Sequence, residues 1–291
     1  VSWRSVVIAN RCKLSYKNNY LIIRNEENNM IHLSEIGTII IDSTLVSITT
    51  YLLAELVKRK TKVVFCDEKR NPISELVPMY GSHNTSKRVL NQVNWDSNIK
   101  DIVWSKIVEN KINNQANLLE KYNKLEADML YGYAKEVKPG DISNREGHAA
   151  KVYFNSLFGK EFVRHTGEDI NAALDYGYAI LASSINKEVA SNGCITQLGI
   201  KHRNEFNFFN LSYDIIEPFR TLVDNIVAEN IENEFNKDYR YKLINVLNSK
   251  LKMEGKSYYF TNAVQIYVKG LLNALDEGEP DLVPYINIDE L

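Results

Sequence analysis

The chain has 291 residues, 44% of them hydrophobic, and a formal net charge of −2, enough for substantial cores in about two domains. That charge argues against holding long nucleic acid by a global positive field and leaves only local basic surfaces for the purpose. The three cysteines, Cys12, Cys66 and Cys194, lie far apart with no C-x-x-C pair, which argues against a disulfide framework or zinc ribbon. No apolar run approaches about 18 residues, and Ser2-Trp3-Arg4-Ser5 lacks a signal-peptide layout, so a soluble cytoplasmic protein without membrane contact is expected.

From Arg4 to about Leu76, segments rich in Val, Ile and Tyr (Val6 to Ala9, Tyr20 to Arg24, Ile39 to Asp42, Val63 to Cys66) alternate with turn signals at Asn18-Asn19 and Asn28-Asn29. This pattern predicts a small β domain over residues 1–78. Leu45, Ile48, Leu52, Leu53, Leu56 and Val57 share a helical face and predict one helix within it. Residues 79–88 read as a linker. Helical patterns then begin with Val89, Val93, Ile99, Val103, Ile107 and Ile112 and continue to about Asp276, predicting a larger all-α domain over 89–291. The expected class is α+β, with any chemistry in the helical domain.

Within that domain, Lys138-Pro139-Gly140 punctuates the chain and a helix is predicted from Ser143, with Glu146 on the stripe of Ala150, Tyr153 and Leu157. A carboxylate on a buried face needs a cationic or hydrogen-bonding partner. Ser143 and Glu146 also fit a capping box, which would use the same carboxylate locally. Gly193 then reads as a helix stop ahead of Lys201-His202-Arg203, where an imidazole with cationic neighbours suits metal ligation, acid/base work or phosphate contact. His148 is a lesser rival, since its i, i+2 offset from Glu146 points it elsewhere. His32, His83 and His165 have no acidic company in the sequence.

The next helix is predicted to begin near Asp214 or Glu217, Pro218 favouring the later start. Both acids would then lie at a helix N-terminus, where the macrodipole alone favours them. Arg220 would pair with Glu217 on the surface or face a phosphate. Taken together, the segments offer two carboxylates and an imidazole, a donor set suited to Mg²⁺ or Mn²⁺ in phosphoryl-transfer chemistry. Basic runs at Lys58-Arg59-Lys60, Lys87-Arg88, Lys201 with Arg203, Lys237 to Lys242, and Lys250, Lys252 and Lys256 are candidate nucleic-acid contacts, although such a run alone is more often a solvated helix face.

The strings SNREGHAAKVYFNSLFG, INAALDYGYAIL, TQLGIKHRNEFNFFNLSYDIIEPFRTLVD, WRSVVIANRCKLSYKNNYLIIRN and IHLSEIG resemble the CRISPR-associated integrase of the spacer-adaptation machinery, in the form found beside type II CRISPR systems. The resemblance runs along nearly the whole chain with its motifs in order. It implies a DNA integrase with endonuclease activity that inserts foreign DNA fragments as new spacers into a CRISPR array, by attack of a 3′-hydroxyl on a repeat-end phosphodiester. It also implies Glu146, His202 and Glu217 as metal-binding catalytic residues, with Asp214 at a neighbouring acidic position. Lys201, Arg203 and Arg220 would position DNA phosphates. The implied partners are double-stranded prespacer and repeat DNA, a second copy of the chain joined through the β domain, a smaller adaptation protein and further type II CRISPR proteins, in a prokaryotic cytoplasm. Thr221, where relatives would carry proline, and the acidic tail Asp281 to Leu291 depart from the pattern. Two readings from other classes are a non-catalytic DNA-binding scaffold and a metal-dependent phosphoesterase for small molecules.

Overall fold

Short alternating segments in the first eighty residues pair into two four-stranded sheets, as seen in a computed structural model that describes residues 4–78, 84–164, 169–253 and 255–288. The chain divides into two compact units, residues 1–81 and 82–291. The first runs β1 (Arg4–Ile8), β2 (Cys12–Lys17), β3 (Tyr20–Arg24), β4 (Asn28–His32), β5 (Ile36–Ile41), β6 (Val46–Ile48), α1 (Thr50–Lys58), β7 (Lys62–Cys66) and β8 (Pro72–Glu75). One sheet has the order β1-β5-β7-β8, the other β4-β3-β2-β6.

Strand β5 is buried along its whole length, as expected where neighbours pair on both sides in parallel. Asn18 and Asn19 both adopt positive φ, 49° and 68°, and close the β2–β3 hairpin with the twist that two-residue turns require. Asn28 and Asn29, read above as a turn, instead pair in β4 against Arg24 and Ile23. Leu14, Leu21, Leu33, Ile39, Leu52, Leu56 and Val63 form the core of this unit. The helix is shorter than its periodicity suggested. Val46 to Ile48 pairs with β2, where β-branched residues fit well, and Leu45 is exposed. Helix α1 starts only after Thr49, whose hydroxyl accepts from the Leu52 amide.

The second unit contains α2 (Thr85–Val93), α3 (Ser97–Lys121), α4 (Ala127–Lys135), α5 (Arg145–Phe158), α6 (Asp169–Ser191), α7 (Asn210–Ile216), α8 (Arg220–Ala228), α9 (Lys237–Ile244), β9 (Lys250–Met253), β10 (Lys256–Tyr259), α10 (Phe260–Glu277) and β11 (Ile286–Asn287). Helix α2 begins inside the stretch expected to be linker, of which residues 79–83 lie outside the described residues. The expectation of an all-α unit also needs correction, because β10-β9-β11 form a small antiparallel sheet. Alternation in Lys250-Leu251-Lys252-Met253 buries Leu251 and Met253 with Ile286, a period-2 pattern too short to stand out in sequence.

Helix α3 is the spine of the unit. Val103, Trp104, Ile107, Val108, Ile112, Ala116 and Leu119 are buried on it, and so are the polar Asn110, Lys111, Asn114 and Gln115. Helices α6 and α8 approach closely at Gly177, where a Cβ would lie 2.4 Å from Val223 Cγ1. Among the described residues no helix is long and apolar enough to cross a membrane.

Candidate active site

Glu146 enters the site because another residue caps its helix. Asp141, in the 3-10 turn Pro139–Asp141, accepts the amides of Arg145 and Glu146 at 2.8 and 3.0 Å. These amides are unpaired donors of the first turn of α5, so the Ser143–Glu146 capping box does not form. Ser143 Oγ is buried without a hydrogen-bond partner among the described residues. Glu146 Oε1 instead accepts from Lys111 Nζ at 2.6 Å.

Glu217 reaches the same ammonium from a break between helices. Pro218 cannot continue the helical ladder, and Glu217–Phe219 forms a 3-10 turn joining α7 to α8. Glu217 is therefore not a helix N-terminal acid, and its side chain is almost wholly buried. Oε1 accepts from Arg220 Nη2 at 2.9 Å, while Oε2 is ion-paired with Lys111 Nζ at 2.6 Å. Burial alone would raise the pKa of this carboxyl, yet the opposed charges of Arg220 and Lys111 hold it well below the usual carboxylate range. Lys111 is pushed up for the matching reason: burial disfavours its charge, and Glu217 with Glu146 outweigh that.

Asp214 also lies elsewhere than expected. It sits inside α7, fully buried, and its carboxylate gathers the loop that carries His202. Oδ2 accepts the amides of Ile200 and Lys201 at 2.6 and 3.0 Å; Oδ1 accepts the His202 amide at 3.2 Å and stands 2.5 Å from His202 Nδ1. Gly199 makes this gathering possible, since a Cβ there would come within 2.5 Å of the His202 carbonyl oxygen and 2.7 Å of Asp214 Oδ2. The hydrogen bond to Asp214 raises the His202 pKa against the opposing effect of burial, and the charges of Asp214, Glu217 and Glu146 add to the rise. The ring packs edge-on against Trp104, centroids 5.8 Å apart.

Arg220 does pair with Glu217, but its side chain is mostly covered, 20% exposed, rather than free on the surface. Its guanidinium lies over the Tyr178 ring at 4.4 Å, and Tyr178 in turn donates to Asp224, which also accepts from Tyr153 at 2.8 Å. Burial pushes Asp224 up to about 6 despite these two hydrogen bonds. Lys201 donates to the Gly140 carbonyl at 2.8 Å and so ties the histidine loop to the approach to α5. Arg203 is exposed and lines a cleft of about 570 Å³ with Lys100, His202 and Phe208. His148 is exposed beside Tyr133, and His83 and His165 lie outside the described residues. Several basic runs have internal partners: Lys58 with Glu55, Arg88 with Asp276, and Lys242 with Asn230.

The structure thus joins Glu146 to Glu217 through Lys111, and His202 to Asp214. Sequence reasoning missed Lys111 and the cap Asp141. The signal for Lys111 was present: it continues the stripe of Trp104, Ile107 and Val108 at helical spacing, where a charged residue demands a partner. Among the described residues no three His, Cys, Asp or Glu side chains stand close enough together to hold a metal ion. The donor types nonetheless fit a hard divalent cation: two carboxylates whose charge a cation already balances, and an imidazole whose Nδ1 is engaged by a carboxylate, as in metal-ligating histidines.

The sequence model of the family described as CRISPR associated protein Cas1 matches residues 6–262. The CRISPR-associated endonuclease Cas1 of Neisseria meningitidis serogroup C (strain 8013) is 35% identical over 297 residues, covering 98% of each chain. Among solved structures, a casposase bound to integration product aligns with TM-score 0.76 and 21% identity over 94% of this chain and 91% of its own. A chain of a Cas6-RT-Cas1–Cas2 complex aligns with TM-score 0.72 and 20% identity over 99% of this chain and 36% of its own. The aligned parts of both share this chain's mixed α+β fold. This chain belongs to the Cas1 family.

Proposed function

We propose that this Cas1-family chain is a divalent-metal-dependent DNA integrase with endonuclease activity, which inserts foreign DNA fragments as new spacers into a CRISPR array. The observation that carries the reading is the Glu146–Lys111–Glu217 ion-pair cluster, whose carboxylate charges reach the Asp214-held His202, in a chain whose 35% identical relative is named an endonuclease. Glu146, Glu217 and the Nε2 of His202 would hold Mg²⁺ or Mn²⁺. When bound, that ion makes the attacking hydroxyl more acidic and offsets charge on the phosphate oxygens.

The chain's own residues organise the rest. In the reaction a 3′-oxygen bonds to phosphorus, the repeat's own phosphorus–oxygen bond breaks, and the released oxygen takes up a proton. Asp214 fixes the His202 ring by holding Nδ1, which leaves Nε2 as the ligand nitrogen. Arg220, held between Glu217 and the Tyr178 face, supplies a fixed positive charge beside the carboxylates. Exposed Arg203 is suited to a DNA phosphate, with Lys201 beside it securing the loop. Double-stranded DNA, a second copy of this chain and a smaller adaptation protein are the proposed partners. The Cas6-RT-Cas1–Cas2 complex and the casposase bound to integration product among the fold's neighbours support the smaller protein and the nucleic acid; the second copy rests on the family resemblance.

One observation favours a non-catalytic DNA-binding scaffold: Lys111 and Arg220 already neutralise both carboxylates, as a purely structural network would. A branched duplex carrying a free 3′-hydroxyl separates the two. The integrase rejoins its strands in Mn²⁺ and stops in chelator, whereas a scaffold binds the DNA equally in both and rejoins nothing.

A further inference from the structure

Helix α3 places one flexible cation between two carboxylates that come from different elements. Lys111 Nζ stands 2.6 Å from Glu146 Oε1 and 2.6 Å from Glu217 Oε2, with the lysine side chain only 10% exposed. Two ionised carboxylates converging on one point, Glu217 deeply buried and Glu146 partly so, repel each other unless a positive charge lies between them. Arg220 cannot fill that role alone. It occupies only Glu217 Oε1, and the Tyr178 face fixes its guanidinium. With Lys111 and Arg220 present, two negative charges meet two positive ones and the cluster is neutral.

We propose that Lys111 is a built-in counter-cation that holds the Glu146–Glu217 pair together and competes with the divalent cation for it, thereby setting the metal affinity of the site. The inference rests on the metal-centre reading above. An arriving divalent cation meets a neutral cluster rather than a bare dianion, so its binding is weaker than the carboxylates alone would give. Of the two cations, Lys111 is the one that yields. Its ammonium is a point charge on a four-carbon stem without the fork geometry or ring stacking that fixes Arg220.

The test is Mn²⁺ binding to the full chain without DNA, read from the electron paramagnetic resonance of free Mn²⁺, with thermal melting in parallel. Lys111→Met and Lys111→Gln are expected to bind Mn²⁺ at least about tenfold more tightly than the native chain, since a unit charge is removed beside the ion. In chelator both should melt lower than the native chain, and Mn²⁺ should raise their melting temperature by more than it raises the native one. Lys111→Arg, which keeps the charge, should bind Mn²⁺ no more tightly than the native chain. Unchanged or weaker Mn²⁺ binding by the folded Met and Gln variants overturns the proposal. If either is unfolded in chelator, folding on addition of Mn²⁺ supports it and failure to fold in saturating Mn²⁺ overturns it. Mn²⁺ binding that is identical in the native chain and Glu217→Gln defeats the metal centre itself. Native binding lost in Glu217→Gln, with no gain on replacing Lys111, defeats only the role of Lys111.

Discussion

Asp214 Oδ1 lies 2.5 Å from His202 Nδ1, and the same buried carboxylate accepts the backbone amides of residues 200, 201 and 202. One side chain therefore orients the imidazole and shapes the loop that carries it. Asp214→Ala should destabilise the chain by about 3 kcal/mol, because hydrogen bonds to a charged group are worth about 1.5–3 kcal/mol and three backbone amides, that of Ile200 buried, lose their acceptor. Urea denaturation measures this; a loss below about 1 kcal/mol would mean that the loop holds its shape without the carboxylate.

Asp224 makes stability depend on pH. Burial, against the hydrogen bonds from Tyr178 and Tyr153, raises its pKa from the 3.8 of a free aspartate to about 6, so the folded state binds its proton more tightly than the unfolded state does. The resulting stabilisation is complete below about pH 4 and is lost as the pH rises through about 6, for a total of about 3 kcal/mol. Asp224→Asn should remove the dependence. Its stability relative to the native chain should rise between pH 4 and 6 and level off above, as read from melting curves across that range.

Gly177 is a packing requirement. A Cβ there meets Val223 Cγ1 at 2.4 Å on a fully buried and stiff side chain, so Gly177→Ala should cost about 1–3 kcal/mol. Adding Val223→Ala should recover part of that loss, since the two sites touch and their effects couple. Chemical denaturation of the single and double variants checks the pair, and strict additivity would contradict the contact.

Sequence made the local part of this molecule legible and left the long-range part hidden. The Asn18-Asn19 turn and the helix that carries Glu146 follow from neighbouring residues, because turn chemistry and 3.6-residue periodicity act locally. Lys111 is 35 residues from Glu146, and only the packing of α3 against α5 and the α7–α8 junction brings them together. Asp214 was misplaced because Pro218 suggested a late helix start, whereas the chain tolerates that proline by breaking the helix into α7, a 3-10 turn and α8. The strands around Leu251 and Met253 were missed since a four-residue alternation between helices gives no clear period. Ser143 and Glu146 fit a capping box by spacing, yet Asp141, reached through the positive φ of Gly140, takes the amides first.

The central claim is that Glu146 and Glu217 hold a catalytic cation, and the most direct measurement is strand rejoining on a labelled branched DNA with a free 3′-hydroxyl, in Mn²⁺ and in chelator. Glu146→Ala and Glu217→Ala are assayed beside the native chain, with DNA binding measured on the same substrate. The account predicts rejoining by the native chain in Mn²⁺ alone, and its loss in both variants while DNA binding persists. Rejoining that survives in chelator or in either variant would contradict it, as would DNA binding by the native chain without rejoining even after the smaller adaptation protein is added.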